Sequence, residues 1–130
     1  MEPHKLILIV EDNEDARFVF SAILNYDGYR IVEAVDGGAA VACALEHLPD
    51  LIITDIDMPM MDGFEAARLI RADVHTALIP IIAITGKSFT VAQQAEADTL
   101  FDGCFSKPMQ PSRVLAEVQR LIGPPECPAA

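Results

Sequence analysis

The chain reads as an α/β domain: a doubly wound (βα)5 sandwich built around a five-stranded parallel sheet. Three observations predict it. Short apolar runs rich in isoleucine and valine recur at Leu6–Val10, Leu51–Thr54 and Ile79–Ile84, each closed by turn signals. Runs of this kind, without polar alternation, suit strands buried on both faces. Segments with apolar residues at helical spacing alternate with them, the pattern of a parallel sheet with helices on both sides. Finally, carboxylates stand where the first and third runs stop, as Glu11-Asp12 and Asp55. Right-handed crossovers leave few topologies for such a chain. Of these, strand order 2-1-3-4-5 would set the first and third strands side by side, so that Glu11, Asp12 and Asp55 meet at one sheet edge. Ligands of open α/β sheets bind outside the carboxyl ends of the strands.

Each element can be justified in turn. After the first strand, Asn13 to Tyr26 carries Ala16, Phe20, Ile23 and Leu24 at helical spacing, and Gly28 suits a left-handed C-cap. Tyr29–Ala34 is a strand with β-branched Ile31 and Val32. Gly37-Gly38 breaks the chain; Val41, Ala44, Leu45 and Leu48 then mark a helix that Pro49 ends. The third strand ends at Asp55, Pro59 and Gly63 turn the chain, and a helix runs from Phe64 with Ala67 and Ile70 inward. Arg68 and Arg71 fall on its wetter side. The fourth strand closes at Thr85-Gly86. Ser88 to Asp98 is a helix of alanine and glutamine with little to anchor it. Gly103–Ser106 is a brief fifth strand, and Lys107-Pro108 ends it. Pro111 suits the first turn of a last helix with Val114, Leu115, Val118, Leu121 and Ile122 as its stripe. Gly123-Pro124-Pro125 stops that helix. The expectation is one domain over 1–123, then a short C-terminal tail over 124–130, frayed from Glu126 onward, and no output domain.

Composition narrows the function. At 130 residues, 52% hydrophobic and 22% charged, the chain can bury a real core. No apolar run approaches the roughly 18 residues that span a bilayer, and the first residues lead straight into a strand, so no signal peptide or membrane association is expected. Three cysteines without close spacing suit neither a disulfide framework nor a zinc site, which leaves the cytoplasm as the default compartment. The net charge is −11, and residues 1–65 hold fourteen acids against three bases while the remainder holds six of each. That distribution disfavours direct nucleic-acid binding and suits a site that holds a cation.

The polar residues expected at the strand ends are Glu11, Asp12, Asp55, Thr85 and Lys107. Three converging carboxylates repel one another unless a cation pairs them. Oxygen-only ligands suit Mg²⁺. Lys107 adds a positive charge and Thr85 a hydroxyl, a set that fits a phosphoryl group carried by Asp55. Carboxylates serve as nucleophiles toward phosphorus, and phosphoryl transfer needs mainly positioning and charge neutralisation.

Four motifs then stand in order: Ile9-Val10-Glu11-Asp12-Asn13, Asp55-Ile56-Asp57-Met58-Pro59 with Met61-Asp62-Gly63, Ile82-Ala83-Ile84-Thr85, and Ser106-Lys107-Pro108. Together they resemble the receiver domains of two-component response regulators, of the chemotaxis-regulator type, over residues 5–122. The resemblance implies a flavodoxin-like fold. It implies that Asp55 takes a phosphoryl group from a histidine kinase or phosphotransfer protein. Glu11, Asp12 and Asp55 would bind Mg²⁺, with the Asp57 backbone carbonyl as a further ligand; Thr85 would be the switch hydroxyl and Lys107 the phosphate partner, joined to Pro108 by a cis bond. The family's signalling switch is not a turnover enzyme, and it works through a downstream protein, as a monomer or weak dimer.

Two departures stand out. Cys104 occupies the place of the family's switch aromatic, and Leu100 that of a common glycine, so a different path is expected before the fifth strand. Asp57 and Lys87, flanking the phosphoryl position, are expected to pair across the pocket. The motifs also resemble receivers appended to hybrid kinases. Two other readings compete: a pseudo-receiver that binds partners without phosphate, and a phosphatase of haloacid-dehalogenase type, whose nucleophile motif Asp55-Ile56-Asp57 resembles. The second fits poorly, because that motif normally opens its chain.

Overall fold

A computed structural model describes residues 4–126. Ten elements alternate: β1 (Leu6–Val10), α1 (Glu14–Asp27), β2 (Arg30–Ala34), α2 (Gly37–His47), β3 (Leu51–Asp55), α3 (Gly63–Ala72), β4 (Ile81–Thr85), α4 (Val91–Leu100), β5 (Gly103–Ser106) and α5 (Pro111–Ile122). The strands form one parallel sheet in the order β2-β1-β3-β4-β5. Every residue of β1, β3 and β4 is buried, as their unbroken apolar runs require. Two cores flank the sheet. Leu24 of α1 and Val114 and Val118 of α5 pack with Ile7, Ile9, Ile53 and Ile84 on one face. Ala40, Ala44, Phe64, Ala67, Ile70, Ala97 and Leu100, from α2, α3 and α4, cover the other with Leu8, Val10 and Ile52.

Local chemistry explains most boundaries. Asn13, Asp36, Asp62 and Thr90 each cap a helix by accepting a hydrogen bond from a first-turn backbone N–H. Gly28 closes α1 at a φ of 114°, as expected. Gly37-Gly38, read as a chain break, instead opens α2 behind the Asp36 cap. A Cβ on Gly37 would come within 2.5 Å of the Met61 carbonyl oxygen, so the glycine permits α2 to approach the β3–α3 loop.

The structure corrects the sequence reading elsewhere. Helix α4 begins later than Ser88 and continues through Leu100, anchored by a capping box between Thr90 and Gln93. Leu100 takes ordinary helical geometry and is buried, so its chain path needs no glycine. Arg71 is not on a wet face: its guanidinium donates to the carbonyls of Leu100, Ala77 and Ile79 and to Asp102 Oδ2. Arg113 lies over the Phe105 ring at 5.0 Å. The first residues of the supposed tail are pinned, because Lys5 N–H donates to Pro125 O at 2.8 Å and Glu126 bridges to His4. Residues 127–130 of that tail, Cys127 included, lie outside the described residues.

Candidate acidic site at the carboxyl edge of the sheet

Register places the site. Pairing of Val10 with Thr54, Asp55 with Ile84 and Thr85 with Ser106 brings the ends of β1, β3, β4 and β5 level. Glu11 follows β1, Asp55 ends β3, Thr85 ends β4, and Lys107 follows β5. The four residues, which are far apart in sequence, therefore share one edge. Glu11, Asp55 and Thr85 are buried there, while Asp12 is exposed.

The carboxylates converge as expected. One ligand atom from each of Glu11, Asp12 and Asp55 lies within 4.8 Å of the others. Lys107 Nζ stands 2.8 Å from Asp55 Oδ2 and 3.9 Å from Glu11 Oε1. Asp55 Oδ1 accepts the Asp57 N–H at 3.0 Å, and Glu11 Oε2 accepts the Asn13 N–H at 3.1 Å. Arg17 braces the turn by donating to the Glu11 carbonyl at 2.9 Å. The Lys107–Pro108 bond is cis.

Burial dominates the electrostatics. It pushes the Glu11 carboxyl up to about 7; the Asp55 charge adds to this, while the Asn13 N–H and the Lys107 charge oppose it. Burial disfavours the Lys107 charge, but its hydrogen bond to Asp55 and the charges of Asp55, Glu11 and Asp57 outweigh that, so its pKa lies above the ordinary lysine value. A carboxyl forced toward protonation beside two other carboxylates is a site short of positive charge. The donor set is all oxygen, one edge of it is exposed, and a hard divalent cation fits it.

Asp57 departs from expectation. Its carboxylate does not pair with Lys87; Oδ1 and Oδ2 accept the Thr85 hydroxyl at 3.1 and 3.0 Å, and Oδ2 also accepts the Gly86 N–H at 2.9 Å. Lys87 contributes its backbone N–H, which donates to Thr85 Oγ1 at 3.1 Å. The sequence offered Asp57 as a carbonyl ligand and as a partner of Lys87 across the pocket; its side chain crosses the pocket but ends on Thr85 and Gly86. Cys104 is exposed on β5, opposite Ala83, and lines an open cleft with Thr85, Ser88 and Phe89. Phe105 points to the opposite core, as strand alternation requires. Phe89, in the loop after Thr85, packs edge-on against Phe64 with ring centroids 5.3 Å apart.

Comparison with known proteins agrees with this geometry. Residues 7–119 match the response regulator receiver domain family. Protein PilH of Pseudomonas aeruginosa is 38% identical over 81 residues, which are 62% of this chain and 67% of that protein. Histidine kinase P4 of Formosa agariphila is 33% identical over 116 residues, 89% of this chain, but the chain spans only 8% of that kinase. Among solved structures, the receiver domain of a sensor histidine kinase from Pseudomonas aeruginosa has a TM-score of 0.83 and 32% identity, covering 92% of this chain and 98% of that one. That domain holds a magnesium ion coordinated in its active-site cleft. Receiver domains are the signalling switches of two-component systems; they bind Mg²⁺ at an acidic site and interact with histidine kinases and downstream targets. Four motifs in order, strands in the order 2-1-3-4-5 and an acid cluster beside a lysine all lead to one assignment: the chain belongs to the response regulator receiver domain family.

Proposed function

We propose that Asp55 is a phosphoacceptor and that its phosphorylation switches the binding of another protein. The observation that carries this is the Lys107 ammonium at 2.8 Å from Asp55 Oδ2, beside two further carboxylates suited to a divalent cation. In the step, an Asp55 carboxylate oxygen attacks the phosphorus of a phosphohistidine on a histidine kinase or phosphotransfer protein. The P–N bond breaks as the P–O bond forms, and the imidazole leaves with the electron pair and takes up a proton. Lys107 neutralises charge on the transferred group, and Thr85 donates a hydrogen bond to it. Glu11, Asp12 and Asp55 would hold Mg²⁺ with the Asp57 carbonyl; when bound, the ion supplies positive charge for the phosphoryl oxygens. Water later attacks the acyl phosphate, which releases inorganic phosphate and returns the Asp55 carboxylate.

Residues 1–123 form the switching unit in this reading, in a cytoplasmic setting as a monomer or weak dimer. Binding of a downstream protein follows from a population shift in the loop after Thr85 and in α4. Phosphoramidate with Mg²⁺, followed by borohydride reduction of the acyl phosphate and peptide mapping, tests the acceptor. Reduction at Asp55 alone is the expected result. Modification at another carboxylate, or at none, would refute the assignment.

A further inference from the structure

The side chain of Asp57 occupies the Thr85 hydroxyl, which the reading above gives to a phosphoryl group on Asp55, and the neighbouring Gly86 N–H. Gly86 N–H and the Thr85 hydroxyl both end on the Asp57 carboxylate, and the Asp57 backbone N–H in turn donates to Asp55 Oδ1. A Cβ on Gly86 would lie 3.8 Å from Asp57 Oδ2 and 3.9 Å from Lys107 Cδ, so carboxylate, amide and lysine border the same small volume. Lys87 N–H donates to the Thr85 oxygen, which leaves the hydroxyl proton free to point at Asp57. Two donors, one of them an amide fixed at the strand end, thus already bind an anion of the chain itself.

We propose that the Asp57 carboxylate is a built-in competing anion, which must leave Thr85 and Gly86 before a phosphoryl group can be bound there. This rests on the phosphoacceptor reading above. Until it is displaced, Asp57 holds Thr85 turned toward the pocket and disfavours entry of a tetrahedral anion. Charge-assisted hydrogen bonds are the strong ones, so the competition has a measurable size.

The probe is beryllofluoride, a non-covalent analogue of the phosphoryl group, titrated at saturating Mg²⁺. Asp57→Ala is expected to bind it about tenfold more tightly than the wild type, and Asp57→Asn to fall between the two. In a Thr85→Ala background the gain from Asp57→Ala is expected to shrink below about threefold, because one of the contested donors is gone. The Gly86 amide proton is expected to move upfield in Asp57→Ala without ligand and to return downfield when beryllofluoride binds. Equal or weaker binding by Asp57→Ala, or an unmoved Gly86 amide, would overturn the competition. A gain that persists undiminished in the Thr85→Ala background would also overturn it, leaving only general charge repulsion. Failure of wild type and variants alike to bind beryllofluoride would instead refute the phosphoacceptor reading, and the competition with it.

Discussion

Lys107 is the sole side-chain cation that the described ion pairs bring to Glu11 and Asp55. Replacing it with alanine leaves two buried carboxylates without their cation, and removes the charge that would meet a phosphoryl group on Asp55. Phosphorylation of Lys107→Ala by a small phosphodonor is expected to slow at least tenfold, read as the rate of mass gain. Glu11 gives a second prediction, in pH. Its carboxyl is pushed from 4.5 to about 7 in the folded chain. Between those values the native state holds a proton that the unfolded state has released, so stability falls as pH rises through that interval. In chelator, the thermal midpoint should decline from pH 4.5 to 7, and Glu11→Gln should flatten that decline. Mg²⁺ should raise the midpoint most at the upper end, where Glu11 is ionised. At this scale the convergence of Glu11, Asp12, Asp55 and Lys107 at one edge was legible, because strand-end positions and motif spacing name residue types. The Asp57–Thr85 contact was not, since it depends on how two loops lie against each other in space.

Helix α4 carries little large apolar side chain of its own, being mostly alanine, glutamine and acidic residues. It buries only Ala97 and Leu100 along its length, so its position relies on partners at its ends. The Thr90–Gln93 capping box secures one end, and the Arg71 guanidinium meets the Leu100 carbonyl at the other, where a helix dipole favours positive charge. Arg71→Ala is expected to cost about 2 kcal/mol in denaturant unfolding. It should also speed amide exchange within α4 before it does so in β1 or β3. The box was present in the sequence as a threonine with glutamine three residues on, a recognisable signal of a helix start. The Arg71 role was hidden, because a helical wheel assigns a face but does not say which carbonyls a long side chain will reach. A helix held mainly at its ends, next in the chain after the loop that follows Thr85, is well placed to respond to the phosphorylation proposed at Asp55.

For the molecule as a whole, strand number and strand order were readable. Five strand-like segments, three of them apolar runs, alternating with helical segments admit few right-handed arrangements, and the carboxylates at the ends of β1 and β3 point to their being neighbours. The course of the chain just after α5 was not readable. Lys5 N–H donates to Pro125 O, the Lys5 ammonium donates to Ile122 O, and the Tyr29 hydroxyl donates to Gly123 O at 2.5 Å. Pro125 is buried against Gly28. Two consecutive prolines after a glycine read locally as a stop, and nothing local reveals that the segment returns to cover the start of β1. Truncation after Gly123 is therefore expected to lower stability by about 1–2 kcal/mol in urea unfolding, while phosphorylation at the distant sheet edge persists. The central claim, that this edge accepts a phosphoryl group on Asp55, is met most directly by intact-protein mass after incubation with acetyl phosphate. A gain of one phosphoryl group is expected with Mg²⁺, lost in chelator and lost in Asp55→Ala. A wild type that gains nothing with Mg²⁺ bound, or an Asp55→Ala variant that gains as much, would contradict it.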